Sequence, residues 1–111
     1  MLIEIGTWQV LSENKEKHLE VARTLIAVQR AKRDEMLYKE VRFYTKVDDE
    51  TSVEHWMYID FFENLEDCQR HWEMLEKDGE LKAALENVMS QIVPDSLKTS
   101  RWIEKDELRL E

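Results

Sequence analysis

Residues 53 to 62, VEHWMYIDFF, alternate with a period of two, yet both registers are apolar. Val53, Met57, Ile59 and Phe61, with His55 among them, form one register, and Trp56, Tyr58, Asp60 and Phe62 form the other. A half-exposed strand keeps one side polar, so this one expects cover on both sides. The pattern predicts a helix layer over the Val53 register and a pocket or a partner over the Trp56 register.

The flanking chain supplies the other elements. Leu2 to Leu11 reads as a first strand, with Ile3 and Ile5 on one face and Trp8 and Val10 on the other; the switch near Gly6 predicts a bulge. Ser12 reads as the N-cap of a helix running to about Met36 on a stripe of Leu19, Ala22, Leu25, Ile26 and Gln29. Tyr38 to Val47 reads as a more polar strand near a sheet edge. Asp48, Asp49 and Glu50 read as a solvated hairpin turn, because they lack the spacing and glycine of a calcium loop. Asn64 caps a second helix on Leu65, Cys68, Trp72 and Leu75, with His71 beside that stripe. Asp78-Gly79 breaks the helix, and Leu81, Leu85, Val88, Met89 and Ile92 resume its pattern. Leu97 to Lys105 reads as a fourth strand.

The order β-α-β-β-α-β predicts an α+β, ferredoxin-like domain over residues 1 to 111, its helices covering one face of a four-stranded antiparallel sheet. The other face is expected to carry Trp56, Tyr58 and Phe62 with Trp8 and Trp102. Aromatic surface on that scale calls for burial, so the expectation is a homodimer, a dimeric α/β barrel made by two sheets packed face to face. The tail, residues 106 to 111, places Leu108 and Leu110 in alternation and is expected to cross onto the partner.

Composition narrows the partners. A net charge of −9 argues against nucleic acid and anionic membranes, because phosphate contacts need a positive face. Arg30, Lys32 and Arg33 form the densest basic cluster and read as a solvated helix end. A single cysteine, Cys68, excludes an internal disulfide and a multi-cysteine metal site. No signal peptide or membrane span is legible, so the expected location is cytoplasmic.

The run Asp60-Phe61-Phe62-Glu63-Asn64-Leu65-Glu66-Asp67-Cys68-Gln69-Arg70-His71 resembles the strand-to-helix signature of the antibiotic biosynthesis monooxygenase (ABM-like) family, within the dimeric α/β-barrel superfamily. That pattern has an acidic residue, a Trp two positions on, and a His nine positions after the Trp. Asp60 stands at the acidic position, Phe62 at the Trp and His71 at the His. The resemblance implies a pocket between sheet and helices that oxygenates aromatic or polyketide-like compounds with neither metal nor flavin. Asp60 and His71 would then be the catalytic pair, since burial raises a carboxyl pKa and histidine titrates near neutrality. Trp56, Tyr58, Phe62, Trp8 and Trp102 would hold the ring substrate. Tyr58 stands where some family oxygenases carry Asn, and Phe62 replaces the Trp, so the chain departs from the pattern of active relatives. Haem-degrading relatives carry a ligating His about ten residues after a Trp, a count that lands here on Lys82, so no haem is expected.

Each candidate also has a plainer reading. His71 fits a core histidine bonded to a carbonyl, His55 a packed residue on the helix-facing side, and His18 an exposed helix residue. Cys68 fits a small buried hydrophobe. Asp60 fits this role least well, because a carboxylate among rings costs energy unless paired; Arg42 or Arg101 could pair it across the sheet. A pocket enzyme, a non-catalytic ligand-binding dimer and a purely structural dimer all remain open from the residues.

Overall fold

A computed structural model describes residues 1–47 and 52–111. The acidic stretch Asp48, Asp49 and Glu50 lies outside the described residues. The elements are β1 (Leu2–Leu11), α1 (Lys15–Ala31), β2 (Glu40–Thr45), β3 (Val53–Phe62), α2 (Leu65–Lys77), α3 (Gly79–Met89) and β4 (Lys98–Ile103). The strands form one antiparallel sheet in the order β2-β3-β1-β4. This is the ferredoxin-like α+β arrangement, with β2 and β4 at the edges.

The helix ends have local causes. Asn64 Oδ1 accepts the Asp67 N–H at 2.9 Å and opens α2. Asp78 separates α2 from α3, its Oδ1 accepting the N–H groups of Glu80 and Leu81. Its Oδ2 takes Lys32 Nζ at 2.9 Å, which ties the end of α1 to the start of α3. Helix α1 stops at Ala31 rather than near Met36; a short 3-10 turn follows, and Arg33 donates to the carbonyls of Tyr38 and Lys39. Ser12 opens a 3-10 turn with no side-chain cap, so α1 starts later than the sequence pattern suggests.

Two expectations about the sheet are corrected. Strand β1 carries no bulge: it pairs with β3 without interruption from Leu2↔Phe62 to Leu11↔Val53. Even-numbered positions of both strands therefore share one face throughout, and that face is the one under the helices. Trp8, Trp56, Tyr58, Asp60 and Phe62 point at α1 and α2, as the contacts of Trp8 and Trp56 with His18 and of Phe62 with His71 require. Ile3, Ile5, His55, Met57, Ile59 and Phe61 take the open face, the reverse of the expected assignment. Trp102, opposite Ile3, is the one expected aromatic that does lie on the open face, and it is 58% exposed. Both registers of β3 are apolar, so the alternation separated the faces without saying which one the helices cover.

Gly6 has a different role from a bulge. It pairs with Tyr58, and a Cβ added there would stand 1.9 Å from a Tyr58 ring carbon. The bare backbone lets that ring lie flat across β1. Gly6→Ala is therefore expected to lower stability by about 2 kcal/mol, through overpacking and a displaced tyrosine hydroxyl. In a Tyr58→Ala background the same change should cost far less. Urea midpoints of the four proteins measure this, and equal costs in both backgrounds would refute the steric account.

Candidate active site between sheet and helices

The inward register of β1 and β3 sets polar groups among rings. Glu4 faces Asp60 across the strand pair, and Gly6 faces Tyr58. Helix α2 brings Cys68, His71, Trp72 and Leu75 over them at three- and four-residue spacing. Edge strand β4 adds Arg101 opposite Glu4.

Glu4 is the hub of this layer and is 2% exposed. Its Oε1 accepts the Tyr58 hydroxyl at 2.6 Å, while Oε2 accepts Trp72 Nε1 at 2.9 Å and Arg101 Nε at 3.1 Å. The Cys68 thiol sits 3.7 Å from the same oxygen. Burial, followed by the Glu4 charge, pushes that thiol up to about 11, so Cys68 is a poor nucleophile at neutral pH. Desolvation, with the bond to Glu4, also raises the Tyr58 hydroxyl and keeps it protonated as a donor.

Asp60 is 7% exposed and has neither a hydrogen bond nor an ion pair among the described residues. Arg101 is engaged by Glu4, and Arg42 lies on the open face with Glu40, so neither pairs Asp60 as anticipated. Burial, reinforced by the neighbouring Glu4 charge, lifts its carboxyl to about 8. His71 is equally enclosed, edge-on to Tyr38 at 4.9 Å and tilted against Phe62 at 5.4 Å. Desolvation holds its imidazole down at about 4, against a smaller upward pull from Glu4, and its Nδ1 has no hydrogen-bond partner. At neutral pH this corner thus pairs a protonated carboxyl with a neutral imidazole.

Both residues line a cavity of about 180 Å³ between the sheet and the three helices. Trp8, Tyr58 and Trp72 line it too, with Leu25, Leu85 and Val88 as apolar wall and Gln29 as a further polar member. The buried Gln29 Oε1, like His71 Nδ1, lacks a partner. Of the residues expected to hold a ring, Trp8 and Tyr58 thus reach the cavity. Phe62 packs in the core with Leu2 and Tyr38, and Trp102 lies across the sheet. Trp56 belongs to a second cluster with Trp8, Val10 and Ala22, and meets His18 edge-on. A larger concavity of about 510 Å³, lined by Thr7, Gln9, Tyr44, His55 and Met57, opens on the other face and holds no comparable pair of buried titratable groups.

His18 is fully buried rather than exposed. Trp8 Nε1 donates to its Nε2 at 3.0 Å, which places the ring proton on Nδ1, where it meets Gln91 Oε1 at 3.2 Å. Burial lowers its pKa, and with both nitrogens bonded it is a structural histidine. His55 lies on the open face beside Gln9. Among the described residues no group of three or more His, Cys, Asp and Glu side chains is placed to hold a metal ion, and no helix is long and apolar enough to cross a membrane.

Glu4, Gln29 and Arg101 were not anticipated as site residues. One signal for Glu4 was present: it shares the parity of Leu2, Trp8 and Val10, so an unbroken strand places its charge inside. Gln29 stood on the α1 stripe as an amide among aliphatic residues, and Arg101 needed the β1–β4 register to be placed.

The raised Asp60 carboxyl gives stability a pH dependence of defined sign. Folded Asp60 keeps its proton up to about pH 8, whereas the unfolded chain releases it near the ordinary 3.8. Its contribution is therefore complete below 3.8 and is lost as pH rises through about 8. Above the ordinary histidine value of 6.5, His18 and His71 are neutral in both states and add no slope. Between these limits stability should fall by about 1–2 kcal/mol in total, and Asp60→Asn should flatten the fall. Chemical denaturation at successive pH values tests this; a level wild-type profile, or a slope surviving in Asp60→Asn, would contradict it.

No family model matches the chain, and no curated protein matches it. Solved structures do. A candidate antibiotic biosynthesis monooxygenase from Deinococcus radiodurans superposes with a TM-score of 0.68 at 15% identity, covering 100% of this chain and 99% of its own. A second one, from Nitrosomonas europaea, gives 0.69 at 13% identity over 95% and 99% of the two chains. A NIPSNAP family protein from Agrobacterium tumefaciens gives 0.69 at 15% identity over 95% and 86%. At such identities the likeness is one of fold. The chain has the fold shared by ABM-like and NIPSNAP proteins, in agreement with the Asp60-to-His71 signature.

Proposed function

We propose that this protein is a homodimeric oxygenase of small aromatic compounds that needs no cofactor, with Asp60 and His71 moving the substrate proton inside the cavity. One observation carries the reading: Asp60 is a buried carboxyl without a partner among the described residues, set at an apolar cavity it shares with a neutral histidine. A group so placed costs stability, and such groups concentrate at functional sites. The fold likeness to candidate monooxygenases supports the same class.

The chemistry follows from the acid–base pair. Ionised Asp60 takes a proton from an O–H or C–H acid of the ring, and the resulting anion gives up electrons to dioxygen more readily than the neutral compound. A C–O bond forms, and the O–O bond then breaks. Water leaves, and the substrate ends with one more oxygen and two fewer hydrogens. His71, neutral at working pH, accepts a hydrogen bond or relays the proton. The apolar wall admits oxygen and shields the anion from water.

The sheet's open face supports the dimer. Ile3, Ile5, Met57, Ile59 and Phe61 run across it, with Tyr44 and Trp102 exposed. A second copy laid face to face covers this patch and the concavity within it. In the tail, Leu108 is 80% exposed and Leu110 fully exposed, so both are free to cross onto the partner.

Two outcomes are expected. Oxygen uptake with a single-ring quinol should rise with pH through about 8 as Asp60 ionises. Asp60→Asn should reduce it about a hundredfold or more, and His71→Ala by a smaller factor. Full activity in Asp60→Asn would exclude the mechanism. In sedimentation the protein should run as a dimer at micromolar concentration and Ile59→Lys as a monomer; a monomeric wild type would remove the dimer.

A further inference from the structure

Resting on the proposed proton-transfer reading, we infer that the cavity takes an uncharged single-ring phenol and shuts out fused polycyclic rings and ring carboxylates. Three observations converge on this class.

The first is size. The cavity measures about 180 Å³. A dry protein cavity of roughly 150 Å³ accommodates benzene, so this one holds one ring with one or two small substituents. A tricyclic compound does not fit without moving Leu25, Leu85 or Val88, which belong to the close-packed interface of α1 and α3.

The second is hydrogen bonding. Asp60 and His71 line the cavity, and neither side chain has a hydrogen bond among the described residues. At neutral pH Asp60 carries its proton and can donate, and the neutral imidazole accepts through the ring nitrogen that lacks a proton. A ligand hydroxyl accepts from the first and donates to the second, whereas a ring without a hydroxyl leaves both unmet.

The third is charge. Neither Lys nor Arg appears among the residues lining the cavity, and Arg101, which enters this layer from β4, is bound to Glu4. A ring carboxylate would enter an apolar space beside two acidic side chains with no counter-charge. A ring ammonium would find Asp60, but it would lose its own hydration in a cavity that a neutral hydroxyl enters at lower cost.

The test titrates the full-length protein at pH 7 with phenol, toluene, benzoate, benzylamine and anthrone, using calorimetry and the indole N–H resonance of Trp72. Phenol is expected to bind at least tenfold more tightly than benzoate or benzylamine, and anthrone not at all. His71→Leu should reduce the preference for phenol over toluene about fivefold. Leu85→Ala should admit 1-naphthol, which the wild type excludes. Tighter binding of anthrone, benzoate or benzylamine than of phenol would overturn the assignment. Anthrone turnover with phenol excluded would overturn it while leaving the oxygenase reading intact. Phenol binding without oxygen uptake by any phenol or quinol would do the reverse, and no binding by any of these rings would end both.

Discussion

The buried carboxylate of Glu4 is the constraint on which the interior depends. Taking such a charge out of water costs several kcal/mol unless donors replace the lost hydration. Here the donors arrive from three elements: Tyr58 from β3, Trp72 from α2 and Arg101 from β4. Each bond fixes the element that supplies it. The central strand is thereby joined to its inner neighbour, to an edge strand and to the helix layer through one side chain. A gap in this set would leave a charge uncompensated, so the fold is held to one arrangement of these three rings and arms.

That arrangement also explains the isolation of Asp60. Glu4 and Asp60 are direct cross-strand neighbours on the buried face, and only one of them is served by the available donors. Arg101 reaches Glu4, and the other nearby guanidinium, Arg42, stands on the opposite side of the sheet. Burial then favours the protonated acid at Asp60, and the Glu4 charge adds to the effect. A buried carboxyl that keeps its proton at neutral pH thus arises from the uneven sharing of donors between two acids, with no special motif. Gly6 is part of the same device, because it gives the Tyr58 ring the room to lie where its hydroxyl meets Glu4.

The aromatic residues divide by strand parity. Trp8, Trp56, Tyr58 and Phe62 lie under the helices, where His18 and His71 meet them edge-on or tilted. Their polar tips are matched one by one: Trp8 to His18, Trp56 to Glu54, Tyr58 to Glu4. The open face instead mixes Met57, Phe61, Tyr44 and Trp102 with Ile3, Ile5 and Ile59, and carries the polar Gln9 and His55 beside them.

The sequence by itself determined the element order, the Asn64 cap, the break at Asp78-Gly79, the limits of β3 and the edge position of β2. These follow from local periodicity and turn chemistry, which act within a few residues. The Asp60-to-His71 spacing also placed both residues where strand passes into helix, and both line the cavity. Only the tertiary structure decided which face of a doubly apolar strand the helices cover, because period two separates faces without orienting them. It alone decided that His18 is buried between two tryptophans, since an amphipathic stripe leaves its flanking positions open. The same holds for the meeting of Glu4 with Arg101, 97 residues apart, and for the lack of any such partner at Asp60 among the described residues. Those are long-range pairings, set by strand register and by competition for donors that no local pattern records.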